Sequence, residues 1–277
     1  MKRLLLAAVL GVSIAAPLQK DVPSALIYDG QRVVAGQFPF FAWLQIPYKD
    51  GYVGFCGASV LGDRFLLTAF HCLLDIVEPP NEKLVAFLNI TDRAERSSPS
   101  ALTMQVAKVA LHPQTEGDIE SDIAVVELAS SIPKSFLRPV KIARKDEDLV
   151  EVGKPVIAMG FGRTAFGKGN ATLSQHLLYA QMRVVDKEVC NAAYIGEPGL
   201  EFPDTILCAG EGRRGHGMGD SGGPLVALKD GETIQVGVSS FEFPEQSDKD
   251  KYPGGFTRVA KFCDFIEATT RSAFRCS

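Results

Sequence analysis

The apolar residues of this chain fall in short runs that are separated by polar residues, glycines and prolines. Six runs come first, "FFAWLQI", "GASVLG", "RFLLTAF", "KLVAFLNI", "QVAKVAL" and "DIAVVEL". After the polar stretch "ARKDEDLVEVGK" follow "PVIAMGFG", "LLYAQMRVV", "TILCAG", "GPLVAL", "TIQVGVSSF" and "GFTRV". Short β-rich runs with turn residues between them are typical of all-β proteins. The pattern predicts two similar β-barrels of about six strands each, with a boundary near residue 145, in one compact unit.

The last segment, "AKFCDFIEATTRSAF", has the clearest helical spacing in the chain, with apolar residues such as Phe262 and Ile266 four positions apart. It predicts a C-terminal helix over about 260–272. In an unbroken helix the Cα atoms of Cys263 and Cys276 would lie about 19 Å apart, too far for a disulfide. These two cysteines can pair only if the helix ends early and the tail folds back.

The N-terminus has the three parts of a secretory signal peptide. Lys2 and Arg3 precede the apolar run "LLLAAVLGVSI", and the small residues Ala15 and Ala16 follow it. The run is shorter than the ~20 apolar residues that a membrane-spanning helix needs. A buried N-terminal helix is the alternative. We expect residues 1–15 to be a signal peptide and the mature protein to be secreted and extracellular.

Composition narrows the range of functions. The chain has 277 residues, 46% of them hydrophobic, and a formal net charge of −4. No Lys/Arg stripe appears, which disfavours nucleic-acid binding. Secretion permits disulfides among the six cysteines, and Asn89 and Asn170 begin Asn-X-Thr sequons, which are candidate glycosylation sites. The histidines and cysteines show no metal-ligand spacing, so we expect no metal and no cofactor.

One serine has sequence neighbours that suit a reactive, accessible hydroxyl. Ser221 lies in "HGMGDSGGPL", between an aspartate and two glycines. A serine hydroxyl needs a base in hydrogen-bond reach, a carboxylate that holds the base, and donors for the developing oxyanion. His71 follows the apolar run "FLLTAF", and Asp122 heads the run "DIAVVEL". Taken alone, each of these two has a structural reading, as a strand-end histidine and as a strand cap.

Together the three blocks carry a family resemblance. "LLTAFHC", "SDIAVVEL" and "GDSGGPL", in this order, resemble the histidine, aspartate and serine blocks of the chymotrypsin-like serine proteases, the trypsin family. "GQFPFFAWLQ", "AMGFGRT" and "PGGFTRVAKFCDFI" resemble the entry to the first barrel, the start of the second, and the last strand with the terminal helix. The resemblance covers almost the whole mature chain and implies a chymotrypsin-like protease domain over 27–277, all-β, with six-stranded antiparallel barrels over about 27–140 and 145–260.

The resemblance also implies a role for each site residue. Ser221 attacks the scissile carbonyl. His71 takes its proton and later delivers it to the leaving amine. Asp122 holds the His71 tautomer and stabilises the imidazolium. The backbone N–H groups of Gly219 and Ser221 form the oxyanion hole, and Ser240 supports the aspartate.

Members of this family are inactive until a cut frees an N-terminus that begins Ile-Val-X-Gly. The family places this residue about nine positions before the glycine that is Gly36 here, which gives Ile27 in "IYDG". The resemblance therefore implies an activation propeptide over 16–26 and a buried pair between the freed amino group of Ile27 and Asp220. The activating protease would cut after Leu26, which favours a non-tryptic activator.

Four cysteines match two bridges of the family, Cys56 with Cys72 and Cys190 with Cys208. Many relatives have a further cysteine four residues before the nucleophile, bridged to the loop after the pocket strand. Gly217 replaces it here, and the loop "EFPEQSDKDKY" has no cysteine either. Both halves of that bridge are missing together, so we expect a more mobile pocket wall.

The resemblance places the substrate-binding pocket at five residues. Gly215 lies at its base, where trypsin-like relatives have aspartate, and Gly254 is the second base position, also neutral. Ser240 lies on the pocket strand and Met218 borders the entrance. Glu242 replaces a glycine at the mouth, where we expect a solvent-exposed carboxylate that either narrows the mouth or offers its charge to a basic side chain at the rim. A neutral base predicts substrates with neutral or apolar side chains before the cut.

These features predict a secreted serine endopeptidase made as a zymogen. Its partners would be protein or peptide substrates, the activating protease and protein inhibitors, and we expect a monomer that binds neither nucleic acid nor membrane. The alternative is a catalytically silent protease homologue that acts as a binding protein. Silent homologues usually lose a member of the triad, and this chain keeps all three. Labelling of Ser221 by a fluorophosphonate separates the two.

Overall fold

The structure is a computed structural model. It describes residue 27 and residues 29–79, 81–98, 101–113, 119–166, 173–195, 201–243 and 245–277. The predicted signal peptide, the predicted propeptide with Leu26, and Asn170 lie outside the described residues.

A two-residue strand, β1 (Gln31–Arg32), precedes the first barrel. Six strands then pair antiparallel in the order β2-β3-β4-β7-β6-β5, and β5 closes the barrel against β2. Alternation along β2 explains how the barrel is filled, because Ala42, Leu44 and Ile46 belong to the cluster at its centre. The strands are β2 (Phe41–Pro47), β3 (Val53–Val60), β4 (Phe65–Thr68), β5 (Val85–Leu88), β6 (Leu102–Leu111) and β7 (Ala124–Leu128).

The second barrel has the same strand number. β8-β9-β10-β13-β12-β11 form an antiparallel sheet that closes through β8, which pairs with both β9 and β11, and β1 adds to the free edge of β9. The predicted fold of two six-stranded antiparallel barrels is confirmed. The strands are β8 (Pro155–Gly160), β9 (Leu178–Val184), β10 (Ile206–Gly210), β11 (Pro224–Lys229), β12 (Glu232–Phe241) and β13 (Gly254–Arg258).

Aromatic residues fill the space between the barrels. The side chains at odd positions of β2 point away from its barrel centre, so Phe41 and Trp43 join a cluster with Phe161 and Val226 of the second barrel. The ring centroids of Trp43 and Phe161 lie 5.2 Å apart. This apolar contact holds the ends of β4, β7 and β12 in a fixed relation, and the candidate site lies at those ends.

Two α-helices complete the described chain. α1 (Lys187–Tyr194) is capped at its N-terminus by Asp186, whose side chain accepts from the backbone N–H of Glu188. A one-turn 3-10 helix, Val259–Phe262, leads into α2 (Cys263–Thr269). No helix in the described residues is long and apolar enough to cross a membrane.

The C-terminal helix ends earlier than the predicted residue 272. After Thr269 the chain turns through Arg271 and Ser272, which have φ values of 53° and 59°. These left-handed conformations reverse the chain, and Phe274 returns to the first barrel's core. The reversal brings the Cα atoms of Cys263 and Cys276 to 6.0 Å, and the two form a disulfide. The condition for their pairing, an early helix end and a folded-back tail, is therefore met.

The other four cysteines form the two expected bridges, Cys56–Cys72 and Cys190–Cys208. The first ties β3 to the turn after β4, and the second ties α1 to β10. Their sequence separations are 16 and 18 residues, and closing loops of this size stabilises a fold by roughly 3 kcal/mol each.

Candidate active site

The ends of two paired strands bring His71 and Asp122 together. β4 pairs with β7 so that Thr68 lies opposite Ala124. His71 opens a one-turn 3-10 helix just after β4, and Asp122 lies two residues before β7. Residues far apart in sequence therefore meet because the barrel pairs the strands that carry them.

Two hydrogen bonds join the pair. His71 Nδ1 lies 2.7 Å from Asp122 Oδ2, and the backbone N–H of His71 donates to Asp122 Oδ1 over 2.8 Å. A carboxylate only accepts hydrogen bonds, so the proton of the neutral imidazole is on Nδ1. Nε2 then keeps a free lone pair, and the ring is 39% exposed. The arrangement leaves His71 a base at an accessible nitrogen.

Asp122 is buried in a setting that keeps it ionised. Burial opposes the charge, but hydrogen bonds from His71 and Ser240 outweigh burial and hold the pKa of Asp122 below its usual value. The Ser240 hydroxyl lies 2.5 Å from Asp122 Oδ2. Thr257 also donates to the backbone carbonyl of Asp122 over 2.9 Å. The second barrel thus fixes an aspartate that the first barrel supplies.

Ser221 lies in the loop between β10 and β11, and that loop packs on the first barrel. The N–H of Gly57, on β3, donates to the Ser221 carbonyl over 2.7 Å. Gly222 has φ +76° and lies so close to Thr68 Oγ1 and the Gly57 carbonyl that a side chain would collide with them. In the described part of the chain, Ser221 Oγ makes no hydrogen bond. Catalytic hydrogen bonds of this kind often tighten only when substrate binds.

Gly219 has a backbone that other residues rarely adopt. Its φ is +97°, and an added Cβ would lie 2.7 Å from Leu173 Cδ2 and 3.2 Å from Gly162 Cα. The positive φ favours glycine there, because residues with a side chain rarely adopt it. The loop before Ser221 can therefore take the path that the resemblance assigns to an oxyanion hole.

The Asp220 carboxylate holds this loop from inside. It is 1% exposed and accepts from the N–H groups of Gly162 and Gly217, over 2.7 and 2.9 Å. Gly160 also leaves room for it, since an added Cβ would collide with the carboxylate. Burial raises the pKa of Asp220 to about 7, although the two backbone hydrogen bonds oppose this. No described Lys, Arg or His side chain forms an ion pair with it.

Ile27 lies in the core of the second barrel. It is fully buried, in the cluster that contains Ala158 on β8 and Leu178 on β9. The N–H of Gly30 donates to the Ile27 carbonyl over 2.5 Å, and a side chain at Gly30 would collide with the Tyr179 carbonyl. Ile27 and Gly30 are thus seated at a defined place in the barrel that carries the Asp220 loop.

The five predicted pocket residues lie on the loop before Ser221, at the end of β12 and at the start of β13. Gly215 and Gly254 are buried, Met218 is 48% exposed, and Ser240 bonds Asp122 as described above. The prediction of a solvent-exposed Glu242 is wrong. Its side chain is 8% exposed, and Glu242 Oε2 lies 3.1 Å from the ammonium nitrogen of a fully buried lysine, Lys249.

The path of the loop after β12 explains why Glu242 is buried. After β12 the chain folds back, and the N–H of Lys249 donates to the Gly212 carbonyl over 2.6 Å. The aliphatic stem of Lys249 then runs past Gly215, where its Cγ, Cδ and Cε atoms lie 3.2–3.4 Å from the position of an added Cβ. Lys249 thus takes up the space that a side chain at the pocket base would use.

His216 is a second residue that the sequence did not single out. It is 2% exposed, and its ring packs on Phe256 with centroids 4.5 Å apart. A side chain at Gly254 would collide with it. Burial, reinforced by the charge of Lys249, lowers the pKa of His216 to about 3, so the ring is neutral at physiological pH. Neither His216 nor Lys249 carries a sequence signal, because a glycine-rich loop and a charged loop are usually exposed.

A cluster of ligand-type atoms also lies beside His71. His71, Cys56 and Cys72 place one nitrogen and two sulfurs within 4.8 Å of one another. Both sulfurs belong to one disulfide, so neither is a thiolate that could bind a metal. Cys72 Sγ lies 3.9 Å from His71 Nε2, and the bridge therefore packs against the edge of the imidazole.

The chain is similar to known serine proteases. The family model described as Trypsin matches residues 27–266. Trypsin Blo t 3 from Blomia tropicalis is 27% identical over 96% of this chain and 98% of its own length. Serine protease Hayan from Drosophila melanogaster is 33% identical over 87% of this chain, which spans 38% of that protein.

A solved structure is similar as well. Mouse neuropsin, a serine protease, superposes with a TM-score of 0.70 and 25% sequence identity. The match covers 87% of this chain and 98% of the neuropsin chain. It therefore includes both barrels.

Proposed function

This chain belongs to the trypsin family of serine proteases, and from that premise we propose that it is a secreted endopeptidase that works through His71, Asp122 and Ser221. The observation that carries the proposal is the 2.7 Å contact between His71 Nδ1 and Asp122 Oδ2, next to the Ser221 loop. It leaves a basic nitrogen at the junction of the two barrels.

The reaction follows from this placement. Ser221 Oγ attacks the carbonyl carbon of the scissile bond while His71 Nε2 takes the hydroxyl proton. The oxyanion of the tetrahedral intermediate accepts from the N–H groups of Gly219 and Ser221. His71 then gives its proton to the leaving amine, and the C–N bond breaks to leave an acyl-enzyme. Water, deprotonated by His71, attacks the ester, and Ser221 recovers its proton as the acid product leaves.

Asp122 acts on His71 throughout this cycle. Its two hydrogen bonds to His71 fix both the ring and the tautomer, and its charge stabilises the imidazolium that forms in each step. The Ser240 hydroxyl keeps the carboxylate in place. A lowered pKa supports a role for Asp122 as a permanent anion and not as a proton carrier.

Activation is the second part of the proposal. The signal peptide over 1–15 sends the chain to the extracellular space, where its three disulfides can form. The propeptide over 16–26 is then removed by a protease that cuts after Leu26. The new amino group of Ile27 enters the protein and pairs with Asp220, which otherwise has backbone donors and no described cation. The pair orders the loop that holds Gly219 and Ser221.

The proposed activation can be tested by comparing the uncut and the cut chain. The uncut chain should hydrolyse a mixed peptide library poorly, and cutting between Leu26 and Ile27 should switch hydrolysis on. N-terminal sequencing of the active material should then begin Ile-Tyr-Asp-Gly. A full chain that is as active as the cut chain, or an active form that begins elsewhere, would place the switch at another residue.

The stability of the uncut chain should depend on pH through Asp220. In the uncut chain the pKa of Asp220 is about 7 when folded and near 3.8 when unfolded. The folded state then binds the extra proton between these values, so the free energy of unfolding should fall as pH rises from about 4 to about 7. The difference corresponds to at most about 4 kcal/mol. Cutting frees the amino group of Ile27, a cation that can pair with Asp220. The fall of the unfolding free energy with pH should therefore be smaller in the cut chain.

Denaturant unfolding of the uncut chain and its Asp220→Asn variant, at several pH values, measures this contribution. The difference in unfolding free energy between the two should change with pH across that window, because asparagine does not titrate. Equal pH dependence in both proteins would refute the assignment.

The proposal also covers which substrate side chain is preferred before the cut. The neutral Gly215 and Gly254 offer no buried carboxylate to a bound Arg or Lys, and Glu242 already has a cation as its partner. Stranding a charge in such a pocket is unfavourable. Substrates with Leu, Phe, Tyr or Met before the cut should therefore be preferred.

Partners follow from the same function. They are protein or peptide substrates, the activating protease and protein inhibitors that bind the site, and the enzyme acts as a monomer. Asn89 is exposed and is a candidate carrier of a glycan. The alternative of a silent binding homologue has no observation in its favour, since all three triad residues are present.

A further inference from the structure

A buried ion pair lies within the proposed substrate pocket. Lys249 is fully buried, and its ammonium group donates to Glu242 Oε2 over 3.1 Å and to the Phe243 carbonyl over 3.2 Å. It also lies 5.4 Å from the centre of the Phe166 ring. Its stem covers Gly215, the residue at the pocket base. The cation of Lys249 is therefore where the charge of a basic substrate side chain would come to rest.

The two halves of the pair are held differently. Glu242 directly follows β12, and its carboxylate stands on only two methylene groups. Lys249 comes from a loop and reaches Glu242 with four methylene groups. A long side chain moves at less cost than the end of a paired strand. When a substrate side chain enters, the ammonium group of Lys249 is the part that can leave.

We infer that Lys249 is a specificity-determining residue, which occupies Glu242 and so excludes basic side chains from the pocket. The inference rests on the proposed function, because it concerns the substrate of that same site. The neutral residues Gly215, Gly254 and His216 give an incoming Arg or Lys no second anion. To bind, it would have to displace Lys249 from Glu242. A neutral side chain faces no such competition for a charge.

Removal of the lysine should therefore weaken the preference against basic side chains. In the cut enzyme with Lys249→Met, Glu242 has lost its cation and should accept a substrate cation in its place. The readout is kcat/KM for two peptides that differ only in Arg or Leu before the cut. The Arg-to-Leu ratio should rise at least about tenfold over wild type, since leaving a buried charge without a partner is strongly unfavourable.

The assay is run at pH 8, because burial raises the pKa of Glu242 and the carboxylate must stay ionised. Much of the gain should appear as a lower KM for the Arg peptide. Lys251→Met is the matched control. It removes an exposed lysine from the same loop and should leave the ratio unchanged.

A double variant shows whether Glu242 is the group that matters. With Glu242→Gln added to Lys249→Met, the pocket has neither charge, and the Arg-to-Leu ratio should return to within a few-fold of wild type. A ratio that does not rise in Lys249→Met, or a rise that persists in the double variant, would overturn the inference. If Lys249→Met folds poorly, Lys249→Gln takes its place, because its amide also removes the charge but can still donate a hydrogen bond, and the ratio should rise in the same direction.

Active-site titration separates this inference from the proposed function. Each variant is first titrated with a fluorophosphonate, and rates are divided by the concentration of reactive serine. If wild type shows neither reactive serine nor peptide hydrolysis, the proposed function fails. If titration succeeds and only the ratio fails to move, the role of Lys249 fails while the protease function stands.

Discussion

Replacing Ser221 by alanine should lower kcat by about 10⁶ in the cut enzyme, while secretion and folding stay intact. The hydroxyl is the atom that forms the acyl-enzyme, and loss of the nucleophile from such a triad costs about this much. Oxyanion donors and substrate binding leave a small residual rate. Ser221 Oγ makes no hydrogen bond in the described part of the chain, so its loss removes no visible contact.

The measurement is steady-state hydrolysis of a Leu-containing peptide, with thermal unfolding as the check on folding. Ser131→Ala is the control, since this serine is exposed and, among the described residues, its hydroxyl bonds Asp63 alone. It should have wild-type activity. Hydrolysis by a contaminant-free Ser221→Ala protein at a rate near wild type would exclude Ser221 as the nucleophile.

The exchange Asp122→Asn should have the next largest effect, a loss of about 10⁴ in kcat near neutral pH. Asparagine keeps the shape of the side chain, but its amide has no charge to stabilise the imidazolium. Its NH₂ group can also donate to His71 Nδ1, which would put the ring proton on Nε2. That nitrogen could then no longer take a proton from Ser221.

Activity across a pH series measures this effect. Because the pKa of Asp122 lies below its usual value, the carboxylate should add no titration to the wild-type profile above about pH 4. The stabilisation that ionised Asp122 gives to the fold should be lost only below that pH. Asp264→Asn is the control, since its carboxylate is 95% exposed. An Asp122→Asn enzyme with less than a tenfold loss would mean that another group orients His71.

Most of the fold could be predicted from local pattern. The strands coincide with apolar runs because each barrel strand must bury at least one face, as every residue of "FLLT" in β4 does. β1 could not be found in this way. Gln31 and Arg32 are exposed, and only their pairing with Tyr179 and Leu178 makes them a strand. The end of α2 was also missed, because the turn at Arg271 and Ser272 is not coded by glycine or proline.

The residues of the site also differ in whether local sequence reveals them. His71, Asp122 and Ser221 lie in short blocks whose order marks the family, and the contact between Ser240 and Asp122 comes with the family's strand. Lys249 has no such mark. Its neighbourhood in sequence is close to that of Lys251, which stays exposed, and only the path of the loop toward Gly212 buries one and not the other.

The same limit applies to Glu242. Its identity was visible as a departure from the family's glycine, but its environment depends on a residue seven positions away that returns from a loop. A rim carboxylate and a buried, neutralised carboxylate predict opposite responses to basic substrates. Tertiary structure decides between them, and local sequence does not.

The claim that Ser221 becomes a nucleophile once the chain is cut can be measured directly. A fluorophosphonate is added to the cut chain, so that the attacking oxygen displaces fluoride and His71 takes the proton, and the adduct is located by mass spectrometry. We predict a single adduct, on Ser221, that is absent from Ser221→Ala and strongly reduced in the uncut chain. An unlabelled cut chain, or an adduct on Ser239 or another serine, would contradict the assignment.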